Sequence, residues 1–199
     1  MYHILFCDDA DAFRAVSESS SDRFAPLFAA KFDEAKLRAI ADDVAVESRL
    51  RLLAVNRLRA EGRDTGPKHL HGVVVEVALD GGLDTLAAYA DGRVRYINQT
   101  GKMSIIEGQA PELADKITRL FDASRSLVAR IGPWTKERLP PPTKGNARLT
   151  FLVSDGLYFG AGPMADLSRD AMAGPVMFAA AELLNATVEL SLAAQKKQA

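Results

Sequence analysis

Hydrophobic and polar residues change their spacing along the chain, and these changes divide it into segments. Between Asp33 and Ala60 there is no glycine or proline, and apolar residues recur every three or four positions among charged ones: Leu37, Ile40, Val44, Leu50, Leu53 and Leu58. This spacing predicts one long helix, with Asp33 as its N-cap and Gly62 as its stop. Before it, the apolar run Tyr2–Cys7 predicts an edge strand, followed by Asp8 and Asp9 as turn or helix-cap residues.

A period of two then replaces the helical spacing. Residues 71–107 alternate between apolar and polar, and they are interrupted by glycine-containing turns at 80–82, 91–92 and 100–102. Asp-Gly between alternating apolar residues is a strong hairpin signal, because glycine takes the positive φ that the turn requires. The segment therefore predicts an antiparallel meander with strands near 71–79, 84–90, 93–98 and 103–107.

Two helices and a hairpin complete the predicted order. An apolar stripe that starts after Pro111 predicts a helix that ends before Gly132–Pro133. Residues 148–160 predict a hairpin that turns at Asp155–Gly156. The last segment, from Pro175, is apolar around much of its circumference, so we predict a helix that is mostly buried.

This order predicts an α+β fold in which a β-meander and a β-hairpin form one antiparallel sheet packed by helices. Residues 1–62 form an N-terminal extension, expected to pack on an α+β domain of residues 63–199 as one compact unit. The element order resembles that of profilin-like and roadblock-type domains. This analogy concerns the fold alone, and it implies a small scaffold or regulator.

The run ILFCDDADAFRA, residues 4–15, resembles the first strand and paired acids of bacterial response-regulator receivers. A receiver needs a third Asp at the end of a later buried strand. The corresponding region, residues 50–59, contains no Asp and has helical spacing. We therefore do not predict a phosphorylation switch.

The amino-acid composition argues against several classes of function. The 25 basic and 26 acidic residues are interspersed, so the chain lacks the basic face typical of nucleic-acid binding. Its apolar runs are shorter than the roughly 20 residues that span a bilayer, and its N-terminus does not resemble a signal peptide. A single Cys7 cannot form an internal disulfide. We expect a cytoplasmic protein without nucleic-acid or membrane partners.

Few residues in the sequence indicate a catalytic or metal-binding role. Glu76 stands in the apolar strand VVVEVAL, where a carboxylate must pair with a base or serve as an acid–base group with a raised pKa. Arg93 and Arg95 are candidate partners. His69 and His71 share one strand face and Glu76 the other, so we predict no metal site and expect solvated histidines. The sequence offers no phosphate-loop or hydrolase motif, and no cofactor is predicted.

A loop rich in proline, residues 132–145, carries the only tryptophan. Such a loop serves as a lid or partner contact, or it covers the edge of the sheet. If it forms a ligand or partner surface, the residues expected there with Glu76 are Arg130, Trp134, Asp155, Tyr158 and Phe159.

Three functions stay open. The first is a non-enzymatic scaffold or regulatory domain that binds a protein partner, or itself, through the helix at 33–60 or a sheet edge. The second is a sensor with a small-molecule cavity lined by Tyr89, Tyr96 and Tyr158. The third is an enzyme that uses Glu76 or Asp155.

Overall fold

The computed structural model describes residues 2–15, 22–108 and 110–198, with no side-chain placement given for 197 and 198. The helices and strands in this part of the chain are α1 (Ala10–Arg14), α2 (Glu34–Asp42), α3 (Ser48–Ala60), β1 (Leu70–Leu79), β2 (Gly82–Tyr89), β3 (Val94–Ile97), β4 (Met103–Ile106), α4 (Pro111–Val128), β5 (Asn146–Val153), β6 (Gly156–Pro163), α5 (Met164–Arg169) and α6 (Ala173–Gln198).

The six strands form one antiparallel sheet in the order β4-β3-β2-β1-β5-β6. The α+β class and the combination of meander and hairpin in a single sheet are confirmed. The β2–β3 hairpin turns at the predicted Asp91–Gly92, where Gly92 takes the positive φ of +87° that the turn requires. The β5–β6 hairpin turns one residue earlier than predicted, at Ser154–Asp155, because Val153 pairs with Gly156.

Helices cover both faces of this sheet. On one face α4 and α6 pack on Val73, Val75, Leu149 and Phe151. On the other face α2, α3 and the segment 2–13 pack on Val74, Ala87, Tyr89 and Leu152. The alternation along β1 therefore serves two separate cores, one for each face.

The predicted strand Tyr2–Cys7 is wrong. Tyr2–Leu5 is a 3₁₀ helical turn, and the chain then bends at Cys7 with φ +53°. Every residue from Ile4 to Cys7 is buried, so the run has no polar alternation that would distinguish a strand from a buried turn. Asp9, however, is the N-cap of α1 as expected, because its carboxylate accepts the Ala12 N–H at 2.8 Å.

The single helix predicted over residues 33–60 is two helices. Asp33 caps α2 as predicted, but the chain leaves the helical conformation at Asp43, whose carboxylate accepts the Ala45 N–H at 2.9 Å. The α3 helix then begins at Ser48, whose N–H donates to the Asp91 carboxylate at 2.7 Å. A break made by Asx-type bonding and a distant cap requires no glycine or proline, so the composition did not reveal it.

The prediction that the last helix is mostly buried is also wrong. Residues that include Val176, Ala180 and Leu183 pack on the sheet, whereas Phe178 is 67% exposed and Leu192 is 52% exposed. By length and composition, 173–196 would suffice to cross a membrane, and 28% of its most apolar window is buried in the fold. In the fold, α6 packs against α4, and we describe the two helices as one layer.

Candidate functional site

Glu76 lies at the centre of the sheet in a closed ion pair. It is fully buried, and Arg148 stands directly opposite it on β5. The Arg148 guanidinium donates to both carboxylate oxygens, at 2.6 and 2.9 Å. The partners proposed from the sequence, Arg93 and Arg95, are wrong, because both pair with Glu107 instead.

Arg148 has no donor left for a ligand. Its remaining N–H groups bind the carbonyls of Leu139 and Pro140, at 2.8 and 2.9 Å, and the Tyr2 hydroxyl oxygen at 3.2 Å. Tyr2 in turn donates to Glu76, and burial followed by this bond raises the Tyr2 pKa. All five guanidinium hydrogens thus have partners, and the cluster joins β1, β5, the proline-rich loop and the N-terminus.

A second arginine fixes the N-terminal segment to the same loop. Arg138 pairs with Asp8 at 2.7 Å, and its guanidinium carbon lies 4.0 Å from the centre of the Phe6 ring. Asp8, one of the two acids in the receiver-like run, therefore serves as a loop anchor.

The proline-rich loop lies against the outer strand of the sheet. The backbone N–H of Trp134 donates to the Leu157 carbonyl of β6 at 2.7 Å. Its ring meets Phe159 edge to face, with centroids 4.9 Å apart. The structure thus brings together two of the predicted surface residues, Trp134 and Phe159.

The other predicted surface residues do not join this pair. Tyr158 is buried in the core under α4 and α6, and its hydroxyl donates to the exposed Asp155 at 2.8 Å. Arg130 is exposed just beyond the end of α4. The six candidate residues therefore do not converge on one pocket.

The tyrosines proposed to line a sensor cavity are also separated. Tyr89 lies in the core under α3 and donates to the Leu5 carbonyl at 2.9 Å. Tyr96 and Tyr158 pack on the opposite side of the sheet. These three side chains cannot enclose one ligand.

A cavity of about 230 Å³ does lie between α2, α3 and the start of β1. We call it the histidine cavity, and its polar lining is Arg38, Asp42, Arg51, Thr65, His69, His71 and Ser154. His71 is only 3% exposed, so the prediction of solvated histidines is wrong for this residue.

An irregularity in the sheet turns His71 toward this cavity. The pairing of β1 with β5 shifts between Leu70 and Gly72, which leaves His71 as an extra residue. Leu70 packs on the face of the sheet that α4 covers. His71 lies on the opposite face, which α3 covers. Glu76 contacts Tyr2 on that same face. The expectation that His71 and Glu76 point to opposite faces is therefore wrong. Within the described ranges no three His, Cys, Asp or Glu side chains form a metal cluster.

Among the residues that the structure describes, the largest exposed apolar side chain is Phe178 of α6. Phe178, Asn185 and Leu192 recur every seven residues, with Ala181 and Val188 between them. All five are exposed or half-exposed. We call this row the α6 seam.

The outer strand β4 exposes a smaller apolar surface, formed by Met103 and Ile105. This strand has four residues and is flanked by Lys102 and Glu107. Short length and flanking charges are the usual protection of a sheet edge against pairing. The α6 seam is longer, and the acids Glu182 and Glu189 lie beside it.

Sequence reasoning missed Arg148, the histidine cavity and the α6 seam. The seven-residue spacing of the seam was readable from the sequence, but the overall apolar character of the helix concealed it. Arg148 and the cavity depend on strand register and on the bulge, which no local pattern encodes. No family model matches the chain, and no curated protein or solved structure is similar to it.

Proposed function

We propose that the protein is a non-enzymatic interaction domain that pairs with a second copy of itself through the α6 seam. The proposal rests on one observation, the exposed seven-residue repeat of Phe178, Asn185 and Leu192. Two helices pack side by side along their length when their contact residues recur with a mean spacing of 3.5 residues. A helix that only covers a core needs one apolar face, and α6 has a second.

Asn185 supports a second copy as the occupant. It lies midway between Phe178 and Leu192, at the position where a buried Asn is satisfied by the same residue of a parallel partner and fixes the register. Two identical helices around a twofold axis supply that partner without any further protein.

The charges beside the seam favour a parallel arrangement. Glu182 and Glu189 follow Phe178 and Asn185 by four residues each. In an antiparallel pair, each Glu182 would face Glu189 of the other copy, whereas in a parallel pair these acids stand opposite Met177 and Leu184. The chain carries a net charge of −1, so long-range repulsion between copies is small.

The enzyme alternative has less support. Both oxygens of Glu76 are occupied by Arg148 and Tyr2. Asp155 is exposed on a turn and accepts from Tyr158. Glu76 is thus held in a closed ion pair, and Asp155 does not line the histidine cavity.

Sedimentation velocity at several protein concentrations tests the proposal. We expect the native chain to sediment as a dimer and the double variant Phe178→Asp/Leu192→Asp as a monomer with unchanged far-UV circular dichroism. The control is Val44→Asp, because Val44 is 82% exposed between α2 and α3, away from the seam. A native chain that stays monomeric, or a control that dissociates like the double variant, would refute pairing through α6.

A further inference from the structure

We propose that the histidine cavity binds a small organic carboxylate, with the charged end at Arg51 and the two histidines and a short apolar body against α3. This site is independent of the α6 seam, which lies in the layer on the other side of the sheet. Three observations carry the proposal: an unpaired buried nitrogen, an arginine without an acid, and the size and lining of the space.

The first observation is the Nδ1 atom of His71. It is buried without a hydrogen-bond partner in the described part of the chain, although buried polar atoms in native proteins are nearly always paired. The ring of His69 meets that of His71 edge to face, at a centroid distance of 4.6 Å, and both rings line the cavity. A polar group left unpaired inside a cavity is what a ligand or an ordered water satisfies.

The second observation is the charge of Arg51. Its Nε donates to the Ala41 carbonyl at 2.9 Å, and no acid within ion-pair distance appears among the described residues. Arg38, in contrast, is paired with Glu34 at 2.9 Å. Asp42 is exposed at the rim. The guanidinium of Arg51 therefore offers a planar fork that suits a carboxylate.

The same charge disfavours a metal ion. Burial and then the charge of Arg51 lower the pKa of His69, and burial, then His69, then Arg51 lower the pKa of His71. A cation between the rings would meet this repulsion and find only two protein ligands, whereas zinc sites provide three or four. An anion would be attracted to the same position.

The third observation is the size and lining of the cavity. About 230 Å³ holds several water molecules, but it is smaller than the roughly 300–1,000 Å³ typical of drug-sized ligands. Val55 and Leu58 form an apolar wall beside the polar groups. The space therefore fits an anion with a short hydrocarbon body better than a bare, strongly hydrated phosphate.

Butyrate is the probe, with butyramide as its uncharged isostere and inorganic phosphate as a second anion. Nuclear magnetic resonance of the imidazole groups follows each titration of the full-length protein. We expect butyrate to cause saturable shifts at His69 and His71, and butyramide and phosphate to cause none that saturate. Equal responses to butyrate and butyramide would overturn the proposal without any variant, and saturation by phosphate alone would overturn the carboxylate assignment.

Arg51→Gln should weaken butyrate binding at least about tenfold, the loss expected for a charge-assisted hydrogen bond. Arg51→Lys keeps the charge and should retain part of the affinity. Arg130→Gln is the control, because this arginine is exposed beyond α4 and does not line the cavity. Undiminished binding by a folded Arg51→Gln protein would contradict the role of this residue.

Discussion

At the scale of single residues, the fold depends on buried charge that is fully paired. Glu76 and Arg148 have exposed fractions of 0% and 3%, and their bonds join strands, loop and N-terminus. Removal of one member of such a pair leaves a buried charge without compensation, which is far more costly than the loss of a surface pair. We therefore assign the cluster a structural role.

Glu76→Gln should lower the free energy of unfolding by about 3–5 kcal/mol, because Arg148 stays charged without its partner. Asp122→Asn is the matched control, since it removes a carboxylate from a surface pair with Arg125 whose side chains are 66% and 56% exposed. Urea unfolding followed by circular dichroism measures both. A loss for Glu76→Gln as small as for the control would show that the cluster contributes little to stability.

His71 predicts a specific dependence of stability on pH. Burial, then the neighbouring His69 and Arg51, lowers its pKa from 6.5 to about 3. Between pH 6.5 and pH 3 the unfolded chain therefore binds a proton at His71 that the folded chain does not bind. The contribution of His71 to the free energy of unfolding is complete above pH 6.5 and is lost as the pH falls toward 3. Other charged groups in the cavity lining are Arg38 and Asp42.

Between pH 7 and pH 5 the native chain should lose about 1–2 kcal/mol more stability than the variant His71→Gln. The comparison requires a buffer without carboxylates, because a carboxylate is the ligand proposed for the cavity. Urea unfolding at a series of pH values provides the measurement. Parallel curves for the two proteins would show that His71 titrates as freely when folded as when unfolded.

At the scale of elements, helix ends are determined partly by residues far away in the sequence. Glu47 precedes α3 but makes no side-chain cap. Asp91, in the turn between β2 and β3, accepts the Ser48 N–H instead, with an exposed side-chain fraction of 17%. This cap couples the start of α3 to the sheet.

Asp91→Ala should destabilise the protein by about 1–2 kcal/mol, in the range of lost N-caps. Asp91→Asn should cost less, because the amide oxygen can still accept from Ser48 although the pair with Arg93 is lost. The midpoints of urea unfolding distinguish the two. Equal losses in both variants would mean that the charge, and not the cap, is the stabilising feature.

The same elements show what the sequence could and could not predict. The turn at Asp91–Gly92 was predictable because its chemistry is local, whereas the turn predicted at Asp155–Gly156 lies one residue earlier, at Ser154–Asp155. The start of α4 at Pro111 was predictable for the same reason, whereas the helix ends at Val128, ahead of the predicted stop at Gly132–Pro133. The break after Asp42, the partner of Glu76 and the orientation of His71 depend on a remote cap, strand register and a bulge, which are settled only when the whole sheet forms.

At the scale of the whole molecule, one sheet lies between two helical layers that differ in character. The layer of α2, α3 and the N-terminal segment is fixed by Arg138 and Arg148 and encloses the histidine cavity. The layer of α4 and α6 exposes the seam around Phe178 and Leu192. Ligand binding and self-association are thus proposed for opposite sides of the sheet.

Disulfide cross-linking of the variant Asn185→Cys tests whether two copies pair through the α6 seam. The native Cys7 is 1% exposed and cannot compete, and residues 185 of two parallel helices would face each other within reach of a disulfide. Under mild oxidation we predict that most of the Asn185→Cys chains form reducible dimers, whereas Asp122→Cys, on the outer face of α4, stays monomeric. Monomeric Asn185→Cys, or equal cross-linking at both positions, would show that the chains do not pair through α6.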